Sequence, residues 1–79
     1  MTSESKGMWC IYYRKIEEPT TWKVLKVERS DGVLVSAKKR NEAYTFIRFR
    51  DALSYARKLI ESNKYMAEVK KLSGLYFIE

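Results

Sequence analysis

Asp51-Ala52-Leu53-Ser54-Tyr55-Ala56-Arg57-Lys58-Leu59-Ile60-Glu61-Ser62 is the stretch on which the fold of this chain turns. Ala52, Leu53, Ala56, Leu59 and Ile60 recur at helical spacing and form one apolar face. Arg50, Ser54, Arg57, Lys58 and Glu61 lie largely off that face. Asp51 suits the N-cap or first turn, where a negative charge meets the positive end of the helix dipole. Asn63 suits a left-handed residue just past the C-terminus. The spacing therefore predicts a helix over 51–62, with Leu53, Ala56, Leu59 and Ile60 buried.

Upstream the period is two. Met8 to Ile16 is rich in aromatic and β-branched residues and reads as a strand. Glu17-Glu18-Pro19-Thr20 breaks it, because proline cannot donate to a ladder. Thr21 to Arg29 reads as a second strand, with a bulge expected near Val24-Leu25. Ser30-Asp31-Gly32 is a turn in which Asp-Gly accommodates positive φ. Val33 to Lys39 returns as a third strand. Arg40-Asn41-Glu42 turns again, and Ala43 to Phe49 reads as a short fourth strand.

The tail admits two readings. Tyr65, Met66, Val69 and Leu72 fit a second helix ended by Gly74. Tyr65, Ala67 and Val69 fit a strand, followed by a Ser73-Gly74 turn and a last strand, Leu75 to Ile78. The hairpin is favoured, since aromatic and β-branched residues dominate its second arm. The expected fold class is α+β: an antiparallel meander with one main helix packed on a face, in the order β-β-β-β-α-β(-β). Residues 1–7 read as a flexible head and 8–79 as a single domain.

The chain has 79 residues, enough for one modest core. Its one cysteine, Cys10, can form no intramolecular disulfide, which favours a reducing, cytoplasmic compartment. Met1 to Gly7 lacks the apolar run of a signal peptide. No apolar run approaches the roughly 18 residues of a spanning helix.

Catalytic residues are scarce. Histidine is absent, which removes the commonest general base and metal ligand. One cysteine without histidine cannot build a structural zinc site. The glycines Gly7, Gly32 and Gly74 stand apart, so no phosphate-cradling loop is spelled out. Glu17-Glu18 sits in a turn and reads as a solvated pair. Cys10 reads as a small buried hydrophobe. The chain is expected to be no enzyme, with no cofactor, metal or small-molecule substrate.

The formal charge of +6 is concentrated. Between Lys38 and Lys58 there are seven bases, Lys38, Lys39, Arg40, Arg48, Arg50, Arg57 and Lys58, against two acids, Glu42 and Asp51. A localised basic surface attracts polyanions or acidic protein faces, though small domains also carry such charge for solubility alone. Lys38, Lys39, Arg40, Arg48 and Arg50 are expected to form the main electropositive surface. In the first strand Trp9, Ile11 and Tyr13 oppose Met8, Cys10 and Tyr12, so both faces are apolar. One helix cannot cover both faces. The tail, a second copy or a ligand must take the other. Trp9, Tyr12, Tyr13, Trp22 and Tyr44 are the candidate interface residues, and a homodimer is one expected outcome.

A meander followed by Phe49-Arg50-Asp51-Ala52-Leu53-Ser54-Tyr55-Ala56 resembles the small DNA-binding heads of integrases and of a class of plant regulators. In those heads a three-stranded sheet enters a groove and a helix backs it. The resemblance covers the middle of the chain. The glycine and arginine landmarks of those sheets are missing, so no site residues transfer. In size and in its lack of catalytic residues the chain is also similar to phage and mobile-element accessory proteins that bind a host protein. The expected function is thus a small basic binding module for nucleic acid or a nucleic-acid-handling complex. The alternative is an inhibitor or adaptor that binds a host protein through an apolar sheet face.

Overall fold

In the computed structural model, residues 7–75 and 77 are described. The fold is α+β: four antiparallel strands in one sheet, with one helix packed on it. The strands are β1 (Trp9–Lys15), β2 (Lys23–Glu28), β3 (Leu34–Ala37) and β4 (Tyr65–Lys71), ordered β3-β2-β1-β4 across the sheet. The helix, α1, is Phe49–Glu61. Among the described residues, no helix is long and apolar enough to cross a membrane.

The β2–β3 hairpin follows its turn chemistry. Gly32 takes φ 88°, and its N–H donates to the Arg29 carbonyl at 2.9 Å. The Asp31 carboxylate accepts the Val33 N–H at 3.1 Å. The bulge falls one residue beyond the expected pair: the register shifts between Leu25 and Val27, leaving Lys26 as the extra residue. Val24 and Leu25 are both buried because they alternate normally, one in each core cluster.

Ala43 to Phe49 does not form a full strand. A short 3-10 turn occupies Arg40–Glu42, and the stretch then contributes a single bridge, Trp9 to Phe46. The reason is geometric. The β1–β2 register runs only through Tyr12–Val24 and Tyr13–Lys23. Beyond it the two strands part, and residues 44–46 fill the fork. The Tyr44 N–H donates to the Leu25 carbonyl at 2.9 Å, and Phe46 exchanges bonds with Trp9 at 2.8 and 3.1 Å. Gly7 closes this end. A Cβ there would stand 2.7 Å from the Phe46 carbonyl carbon and oxygen, so the close approach requires glycine.

Helix α1 starts two residues earlier than its spacing predicts and lies over β1 and β4. Its buried residues are Ala52, Ala56 and Leu59, which meet Ile11, Tyr13, Leu25 and Ala67. Leu53 is half-buried and Ile60 is 38% exposed, contrary to expectation. Alanines at 52, 56 and 67 allow close approach, so the contact stripe is narrow and Ile60 falls outside it. The helix ends as its sequence predicts, with Asn63 at φ 63°.

Of the two readings of the tail, 65–71 is strand. Ser73-Gly74 lies in a 3-10 turn, Leu72–Gly74, and Leu75 is not in a strand, so no hairpin begins there. The rest of the expected last strand, except Phe77, lies outside the described residues. Leu75 instead packs on Cys10 and Val24, with Leu72 and Phe77 beside it. Backbone hydrogen bonding explains the choice. The Leu75 N–H donates to the Leu72 carbonyl at 3.2 Å, which turns the chain back over the sheet.

Candidate functional site

The two sheet faces are covered differently. The face holding Ile11 and Tyr13 lies under α1. The face holding Cys10 and Val24 is covered at one end by Ala43, Leu72, Leu75 and Phe77. Arg40 ties these pieces together. Its guanidinium donates to the Leu72 carbonyl at 2.5 Å and the Leu75 carbonyl at 2.9 Å, and it stands 5.4 Å from the Phe77 ring centroid. A planar fork of donors suits this bridging of two carbonyls.

The remainder of that face is partly open, with Tyr12, Arg14 and Trp22 half-buried and Lys70 exposed, and its side chains form a row. Tyr12 and Trp22 stack at 5.2 Å between centroids with 10° between planes. The Lys70 ammonium stands over the Tyr12 ring at 5.8 Å, and the Arg14 guanidinium over the Trp22 ring at 5.4 Å. Strand register makes the row. Tyr12 and Arg14 alternate onto one face of β1, Tyr12 lies opposite Val24, and Lys70 lies opposite Cys10. Beside the row runs a groove of about 380 Å³ lined by Tyr12, Trp22, Lys23, Ala37, Lys38 and Phe77. Glu68, opposite Tyr12, pairs with Lys70 at 3.5 Å.

The bases expected to form one surface are divided. Lys38, Lys39 and Arg40 lie on the tail side. Lys38 borders the groove just described, and Lys39 and Arg40 line a second one of about 640 Å³ with Gly7 and Leu72. The Lys38 N–H donates to Glu42 at 2.9 Å; this bond holds the Glu42 carboxyl below its ordinary value, aided by Lys26 and Lys39. Arg48, Arg50, Arg57 and Lys58 lie on or beside α1, against the other sheet face. Lys58 stands 5.9 Å from the Tyr55 ring.

The aromatic candidates are divided too. Tyr12 and Trp22 are on the open strip. Tyr13 is 4% exposed, and burial followed by the neighbouring Tyr65 pushes its phenol up to about 12, so it belongs to the core rather than to an interface. Trp9 is half-buried, edge-on to Phe49 at 4.9 Å. Tyr44 is 49% exposed at the fork, 5.0 Å from Phe46. Sequence reasoning missed Arg14, Lys23 and Lys70 because they come from three strands and join only through register. Their position two residues from Tyr12, next to Trp22, or diagonal to Tyr12 is the signal a register-aware reading uses.

Cys10 is fully buried, and burial raises its thiol against the opposing charge of Arg40, so it acts as a small apolar filler. On the helix side the Tyr55 hydroxyl donates to Glu28 at 2.5 Å. Burial, reinforced by this bond, raises its phenol and keeps it protonated. Among the described residues, no group of three or more His, Cys, Asp or Glu side chains is placed to hold a metal. Comparison with protein families, with curated proteins and with solved structures finds no match to this chain.

Proposed function

We propose that the protein is a non-catalytic module that binds nucleic acid through the open strip of its second sheet face. One observation carries this reading: the group Lys70, Tyr12, Trp22 and Arg14, two stacked rings with a cation over each. Lys23 and Lys38 border the same strip. Cations neutralise phosphates without reading sequence, and flat aromatic area complements bases. The formal charge of +6 acts in the same direction by drawing polyanions to the molecule.

Fluorescence anisotropy with a labelled mixed-sequence polynucleotide tests it. Lys23→Glu combined with Lys38→Glu weakens binding about tenfold or more at low salt and flattens the salt dependence, because fewer counterions are released. Binding that ignores both the substitutions and the salt overturns the proposal.

A second reading, contact with a host protein, rests on a different feature. Leu25, Val27, Tyr44, Phe46 and Tyr55, with Glu28, line a mostly apolar groove of about 240 Å³ at the fork. Val27 and Tyr44 are 44% and 49% exposed there. A stoichiometric protein partner retained from lysate after nuclease treatment, and lost with Tyr44→Glu, favours this reading over the first.

A further inference from the structure

We infer that the open strip takes an unpaired strand, with bases stacked on Tyr12 and Trp22, in preference to a duplex; this rests on the nucleic-acid reading above. The two rings are close to parallel, and both residues are half-buried, so part of their ring area is left to solvent. Each ring carries a side-chain cation, Lys70 over Tyr12 and Arg14 over Trp22, while Tyr12 also packs on the Cys10 and Val24 cluster. Arg14 is otherwise held by two exposed bonds, to the Lys15 and Ile16 carbonyls at 3.2 and 3.3 Å. Such contacts are weak and reversible in water. A base can therefore replace each cation on its ring. The displaced ammonium or guanidinium stays within reach and meets the phosphate of the same nucleotide. Each ring and its cation thus supply both stacking and charge neutralisation.

The surroundings select against a duplex. A double helix keeps its base faces inside its own stack and presents phosphates and groove edges. It gains nothing from ring faces on a sheet. Ala43, Leu72, Leu75 and Phe77 pack on this same sheet face, and Phe77 borders the groove beside the row, which leaves a stiff rod less room to lie flat along it than a flexible strand has. The groove between the row and Phe77, about 380 Å³, is within the roughly 300–1,000 Å³ usual for clefts that take small flat ligands. Charge is complementary as well. Glu68 is the acid at the row, and Lys70 already pairs with it.

The test uses the full chain, a short labelled oligothymidylate and the same oligonucleotide annealed to its complement, at one salt concentration. Anisotropy gives affinity, and quenching of tryptophan fluorescence reports stacking on Trp22. Trp9→Phe serves as the background that isolates the Trp22 signal. Single strand is expected to bind about tenfold or more tightly than duplex, with quenching. Tyr12→Leu and Trp22→Leu remove that preference while leaving the weaker duplex binding in place. Trp22→Tyr, which keeps a ring, retains the preference and guards against misreading a folding defect. Equal affinity for both forms, without quenching and with a steep salt dependence, overturns the single-strand inference and leaves the nucleic-acid reading standing. Binding of neither form overturns both.

Discussion

The two faces of the sheet are closed by different kinds of chain. Under α1, closure comes from repetition: Ala52, Ala56 and Leu59 fall at helical spacing and meet strand residues that alternate. On the opposite face closure comes from a turn and a tail with no period, held by the bonds of Arg40 to two carbonyls. Among the described residues, the helix side buries seven in one cluster and the tail side three. Regular elements satisfy their own backbone groups and can spread apolar area widely. Irregular segments must find partners for each carbonyl, so they cover less and need a polar anchor. The strip they leave open is where Tyr12, Trp22 and their cations stand. Incomplete closure of one face is thus what creates the candidate site.

The largest expected effect sharpens this contrast. Leu59→Ala on the helix side destabilises by about 2–5 kcal/mol, since the side chain is buried and its surroundings are fixed by a helix and two strands. Leu75→Ala, at nearly equal burial, costs less, because the tail can settle into the space. Chemical denaturation of both variants measures the difference. Equal losses would mean that the tail is as firmly built as the helix.

Next in size is the anchor. Arg40→Gln removes charged hydrogen bonds to the Leu72 and Leu75 carbonyls and the contact with Phe77, and costs about 1–3 kcal/mol. Amide exchange locates the effect: the Leu75 N–H loses protection while Ala56 and Leu59 keep theirs. Uniform loss along the chain would show that the two faces fold as one unit.

The smallest effect is confined to alkaline solution. Tyr13 titrates near 12 when folded against 10.0 as a free side chain. The folded pKa is the higher one, so the protonated phenol favours folding. That contribution is complete below pH 10 and is lost as pH rises from about 10 through 12. Tyr13→Phe flattens this alkaline limb of stability and leaves neutral pH little changed. Denaturant midpoints collected from neutral to strongly alkaline pH provide the check. A limb that survives the substitution would assign it to Tyr55, the other raised phenol on the helix side.

The expectation of a homodimer began from the same comparison. One helix could not cover two apolar faces, so something else had to. The turn and the tail cover part of the second face within the chain, which narrows the apolar area left for a second copy to the strip and the fork.

Local chemistry alone determined a good deal. The change from period two to helical spacing at Asp51, the Asp31-Gly32 turn and the left-handed Asn63 are all readable residue by residue, because each depends on neighbours a few positions away. The two apolar faces of β1 were readable for the same reason. What only the tertiary structure decided is how distant segments compete for shared partners. Ala43 to Phe49 has strand composition, yet its bonds go into a fork between β1 and β2, where there is room for one bridge. Leu75 belongs by composition to a strand and by packing to the cover over Cys10. The charge run from Lys38 to Lys58 is contiguous in the chain, but a sheet passes between its two halves. Lys70, Tyr12, Trp22 and Arg14 are scattered in the chain and adjacent in space. Strand register brings residues together without regard to their separation along the chain, so a surface assembled from several strands has no signature in any single stretch of sequence.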